Sequence, residues 1–108
     1  MRQVRRGAVA LHVLHHAAAD EVHGAWLTEE LARHGYRISP GTLYPLLHRL
    51  ERDQLLRGRD ELVDGRVLRR YRATDRGRKT LNELRGVIAE LAAEVGAVRT
   101  TRRTSRAK

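Results

Sequence analysis

Between Ser39 and Glu51 leucine recurs at positions that one local conformation turns into a continuous surface. Leu43, Leu46, Leu47 and Leu50 stand at i, i+3, i+4 and i+7, the spacing of a single buried stripe on an α-helix. Tyr44, Pro45, His48, Arg49 and Arg52 fall on the opposite side. Two starts are compatible with this helix. Ser39 can cap it, with Pro40 at the first helical position, where a missing N–H costs nothing. Thr42 can cap it instead, which places Pro45 in the first turn and removes the conflict of an internal proline. A helix with a leucine back and an aromatic, imidazole and guanidinium front is either an ordinary amphipathic surface helix or one held down in order to present its front. The neighbouring segments decide between these.

Upstream, Gly7 to Ala18 reads as a helix with Val9, Ala10, Val13 and Ala17 on one side, widened by Leu11 and Leu14. Glu21 to His34, or a shorter segment from Gly24, reads as a second helix whose core side is Trp26, Leu27, Leu31 and Ala32. Gly35 stops it, as glycine commonly does just past a helix end. Tyr36 to Ile38 is a connection of helix-turn-helix length. Downstream, Leu55 to Val63 and Val67 to Ala73 read as strands joined at Asp64-Gly65, a pair suited to the positive φ of a tight hairpin. Leu56, Leu62, Val67 and Tyr71 are the expected inward positions. Arg57, Arg59, Arg66, Arg69, Arg70 and Arg72 load the hairpin with charge. Two strands alone are marginal in water, so the hairpin must lean on the helices as a wing.

Thr74 caps a last helix, with Asp75 near the positive end of its dipole. Leu81, Leu84, Ile88, Leu91, Val95 and Val98 then repeat at alternating steps of three and four, a heptad seam. This stripe offers more apolar surface than so small a domain covers by packing on its own first helix, and implies a contact between subunits. Residues 1–74 therefore read as a unit of helices with a hairpin wing, 75–98 as a dimerisation helix of the same compact body, and 99–108 as a flexible basic tail. The fold class is mainly α with a small β-hairpin.

A chain of 108 residues is one domain by length. It carries 22 Lys and Arg against 13 Asp and Glu, a net charge of +9, which favours a polyanion through Coulomb attraction and counterion release. There are no cysteines, so disulfides, thiolate metal sites and a cysteine nucleophile are excluded. No apolar run is long enough to span a membrane, and the N-terminal segment reads as a helix rather than a signal peptide, which points to the cytoplasm. No glycine-rich phosphate loop or nucleophile elbow is present, and catalysis is not expected.

Three motifs carry a family resemblance. Ser39 to Glu51 resembles the recognition helix of the PadR-like transcriptional regulators. Asp64-Gly65-Arg66 resembles that family's wing, and Tyr71-Arg72-Ala73-Thr74-Asp75-Arg76-Gly77 the start of its last helix. The resemblance covers roughly Gly7 to Val98. It implies a winged helix-turn-helix, a homodimer and repression of transcription. Where the family usually reads His-Gly-Tyr, this chain has His23-Gly24-Ala25-Trp26, and Trp26 is expected to take over that packing.

The expected partner is double-stranded DNA with a palindromic operator. Ser39, Thr42, Tyr44, Pro45, His48, Arg49 and Arg52 would meet bases and phosphates from the third helix, since arginine on guanine is the commonest specific contact. Arg66, Arg69 and Arg70 would meet phosphates from the wing, or would serve only to discourage edge-to-edge aggregation. His12, His15 and His16 cluster on one helical face, with Asp20, Glu21 and His23 close behind, and could hold a zinc, copper or cadmium ion as effector. The resemblance keeps a small organic effector near the dimer interface equally open. A second class of function also fits: a helical metal-binding or partner-binding sensor dimer whose charge serves nonspecific polyanion contact.

Overall fold

The computed structural model describes the backbone of residues 2–107 and the side chains of residues 6–96. The order is α1 (Arg2–Ala19), β1 (Val22–His23), α2 (Gly24–Arg33), α3 (Pro40–Arg52), β2 (Leu56–Val63), β3 (Arg66–Ala73) and α4 (Asp75–Ala107). Both the expected tail over 99–108 and Val98 lie outside the described side chains.

The core forms where the predicted stripes converge. Val9, Val13, Leu14 and Ala17 of α1, Leu27 and Leu31 of α2, and Leu43, Leu47 and Leu50 of α3 are buried together with Leu56, Tyr71 and Leu81. α1 packs on α4 and β3, while α3 packs on α2 and β2. Trp26 departs from expectation. It is 38% exposed, and its ring meets the edge of His16, centroid to centroid 5.2 Å. Ala32 is exposed as well. The core side of α2 is narrower than its sequence suggests, since its buried residues are Gly24, Leu27 and Leu31.

α3 starts at Pro40. Thr42 and Leu43 N–H both donate to the Ser39 carbonyl, at 3.0 Å each, which anchors the first turn there. The Ser39 hydroxyl makes no cap hydrogen bond and lies 3.4 Å from the Thr42 hydroxyl instead. Pro45 therefore sits inside the helix, and its missing N–H removes the i+4 donor to the Gly41 carbonyl.

The sheet is antiparallel in the order β1-β3-β2. The two-residue β1 was not legible in the sequence, since Val22 and His23 gain their extended conformation by pairing with Tyr71 and Arg70. That pairing also delays α2 to Gly24. The Asp64-Gly65 turn has φ of 50° and 76°, as the hairpin requires. Register pairs Leu56 with Ala73, Gly58 with Tyr71, Asp60 with Arg69 and Leu62 with Val67, so these share one face. The expected inward set is thus on one face, but Leu62 and Val67 are 72% and 67% exposed. The wing outruns the helices, and among the described residues its tip is left exposed.

α4 enters through two close contacts. The Thr74 hydroxyl donates to the Gln54 carbonyl at 2.6 Å and accepts from Gly77 N–H at 2.9 Å. A Cβ on Gly77 would stand 2.1 Å from the Leu55 carbonyl oxygen, so only glycine lets the helix lie this close to the chain leaving α3. Leu81 is buried, whereas Leu84, Val87, Ile88, Leu91 and Val95 are exposed.

Candidate nucleic-acid interface

The leucine back of α3 is held in the core, with Leu43 and Leu47 fully buried and Leu50 7% exposed. A helix fixed along that stripe must turn its other side outward. Pro45, His48, Arg49 and Arg52 are exposed there, as are Ser39 and Thr42 at its start. Among the described residues the side chains of His48, Arg49 and Arg52 form no ion pair or hydrogen bond. Tyr44 is only partly outward. It is 41% exposed, and its ring lies so close to α2 that a Cβ on Gly24 would meet the hydroxyl oxygen at 2.6 Å. Gly24 is the seat that lets α2 and α3 approach, which the sequence did not reveal.

The wing arginines divide differently. Arg66 is exposed at the turn and, among the described residues, has no ion-pair partner. Arg69 donates to both carboxylate oxygens of Glu51 on α3 and to Asp60 across the hairpin, the latter at 2.8 Å. Its guanidinium passes over Gly58, where a Cβ would stand 2.7 Å from it, and lies 5.9 Å from the Tyr71 ring centroid. Arg70 donates to Glu61. Arg59 grips Glu21 through Nε and Nη2, both at 2.7 Å, and also meets Glu61 at 3.2 Å. Hydrogen bonds to Glu51 and Asp60 raise the pKa of Arg69, and the bond to Glu21 raises that of Arg59. The bond from Arg59 in turn holds Glu21 below the usual carboxylate range. Arg69 and Arg70, expected to meet phosphates, are thus both paired with carboxylates. Their charge is spent on locking the wing to α3 and to the neighbouring strand, and Arg66 alone of the three stays available. His48, Glu51, Arg52 and Arg69 line the open groove where α3 meets the wing.

The six expected metal ligands do not all converge. His15 Nδ1 accepts from Arg85 of α4 at 2.7 Å. Asp20 accepts from the next backbone N–H at 2.8 Å. Glu21 is held by Arg59, and His23 caps α2 by accepting from Trp26 N–H at 3.3 Å. His12 and His16 do come together, but with His34, which caps the far end of α2. Burial lowers the pKa of both His12 and His16. Next in effect are the imidazoles of His34 and His15, respectively.

Residues 13–83 match the Transcriptional regulator PadR-like family. The chain belongs to that family. It is 64% identical over 95 residues to "Transcriptional regulator Rv3488" of Mycobacterium tuberculosis, covering 88% of this chain and 89% of that one. The crystal structure of a PadR family transcriptional regulator from Eggerthella lenta superposes with a TM-score of 0.77 at 33% identity, over 89% of this chain and 85% of the other. A PadR-like transcriptional regulator from Bacillus cereus gives 0.79 at 28% identity, over 89% and 95%. The three motifs of the sequence thus sit in the fold that their resemblance implied. This PadR-like chain is a winged-helix transcriptional regulator, in a family of regulators rather than enzymes. Among the described residues no helix is long and apolar enough to cross a membrane.

Proposed function

We propose that the protein is a dimeric, sequence-specific repressor that places α3 in the major groove of a palindromic operator. The observation carrying this reading is the front of α3: His48, Arg49 and Arg52 stand exposed and unpartnered among the described residues, on a helix whose back is locked in the core. Cations left without carboxylates on a rigid helix suit base edges and phosphates. Ser39, Thr42, Tyr44 and Pro45 border that front. Arg66 at the wing turn reaches phosphate, while Arg69 and Arg70 hold the wing at its angle.

Leu84, Ile88, Leu91 and Val95 support the dimer. They continue the seam begun at buried Leu81, and each is between 40% and 54% exposed in the single chain. A second copy would cover them and set two α3 helices about 34 Å apart, one helical turn of DNA. Repression would be relieved when an effector changes the angle between the two subunits.

Footprinting on the protein's own promoter tests this. A protected inverted repeat, bound by a dimer and released steeply as salt rises, is the expected outcome. Equal affinity for all duplexes would favour the sensor with nonspecific polyanion affinity.

A further inference from the structure

We propose that His12, His16 and His34 form a binding site for one divalent transition-metal ion of the zinc type. His12 and His16 stand one turn apart on α1, and His34 reaches them from the C-cap of α2. One nitrogen from each lies within 4.8 Å of the others. A tetrahedral ion with bonds near 2.0–2.1 Å needs nitrogens about 3.4 Å apart. The site therefore requires the exposed His34 ring to move toward α1.

Two further observations point to a ligand. His16 Nε2 is buried and makes no hydrogen bond, although a buried polar atom normally has a partner. Glu30 lies 3.4 Å from His34 Nε2 and is the more buried of the two. A carboxylate on one nitrogen orients an imidazole and leaves the other for metal. The cluster is walled by aromatic rings, with Tyr36 5.3 Å from His12 and Trp26 5.2 Å from His16. Imidazole donors without thiolates select zinc, copper or nickel over calcium and magnesium. Three protein ligands leave a fourth position for water.

The site stands on these side chains alone, while its use as an effector site rests on the regulatory reading above. An ion here would clamp α1, which packs on α4, to the end of α2 immediately before the turn into α3. Metal would thereby couple the angle of the subunit helix to the position of the DNA-reading helix.

The test uses the full chain stripped of metal and titrated with zinc by calorimetry, with cobalt(II) absorption reporting geometry. One zinc per chain and visible cobalt bands of a tetrahedral site are expected. His34→Ala and His16→Ala should each weaken zinc by more than about tenfold. His15→Ala and His23→Ala should bind as the parent does. His34 is exposed, so its variant keeps the fold, which circular dichroism verifies. Copper(II) should quench Trp26, the single tryptophan, and quench less in His34→Ala. Absence of one-to-one binding, or unchanged affinity in His34→Ala, overturns the site. If zinc binds as expected while operator affinity does not change, the site stands and its effector role falls. If no operator exists, the calorimetric result is unaffected.

Discussion

The front of α3 and the β2–β3 wing are both rich in arginine, yet the fold pairs arginines of the wing with carboxylates and leaves those of α3 unpaired among the described residues. On α3, Arg49 and Arg52 project without carboxylate partners among the described residues. On the wing, Arg59, Arg69 and Arg70 are each taken up by Glu21, Glu51, Asp60 or Glu61. Positive charge on a surface is therefore of two kinds. One kind is available to a polyanion, and the other has been neutralised to fix an angle between elements. Arg69 shows the second most clearly, since it ties β3 to α3 and to β2 at once. It sets where the wing tip stands relative to the helix that reads DNA.

The largest effect should separate the two regions outright. Arg49→Ala is expected to cost about 1–3 kcal/mol of operator binding, a loss of about five- to 150-fold, with thermal stability nearly unchanged. Arg70→Ala should do the reverse, shifting affinity little and lowering stability by up to about 1 kcal/mol. Fluorescence anisotropy with a labelled operator, paired with denaturant unfolding, measures both. Equal losses of affinity in the two variants would break the distinction.

Glu51→Gln sharpens it. Removing this carboxylate releases Arg69 from α3, so the log–log salt dependence of DNA binding should steepen by up to about 0.9, the share of one phosphate contact. Gly58→Ala acts on the same clamp from the other side. Its new Cβ would meet the Arg69 guanidinium at 2.7 Å and push it off Glu51, with an expected cost of about 1 kcal/mol in urea unfolding. A variant as stable as the parent would show that the guanidinium moves aside without loss.

The smallest effect is acidic. Arg59 depresses the pKa of Glu21 in the folded chain below its ordinary value of 4.5. The corresponding stability is present above that value and is lost as pH falls through the folded pKa. Glu21→Gln should lower stability slightly near neutral pH, flatten the profile in that window, and match the parent below it. Because Glu21 is exposed to solvent screening, a large change at neutral pH would contradict the argument.

Much of the fold was legible because it rests on local rules. Leu43, Leu47 and Leu50 announce their helix by spacing, Gly35 ends α2 with a positive φ of 86°, and Asp64-Gly65 can hardly form anything but a tight turn. The site was legible where it depends on those rules: a helix whose back is known has a known front. It was illegible where residues distant in the chain meet. Glu21 and Arg59 are 38 positions apart, and Glu51 and Arg69 are 18 apart. No spacing in the sequence says that these carboxylates, rather than phosphates, receive the arginines. His34 failed to join His12 and His16 in the sequence reading for the same reason.

From its residues alone this chain was committed to an outward-facing α3, a tight hairpin and an apolar seam on its last helix, since periodicity and turn chemistry act within a few positions. Which arginines remain free, which imidazoles converge and how far the wing overhangs were decided by strand register and helix docking. Electrostatic partnership depends on distance in space, and distance in space exists only once the elements have packed.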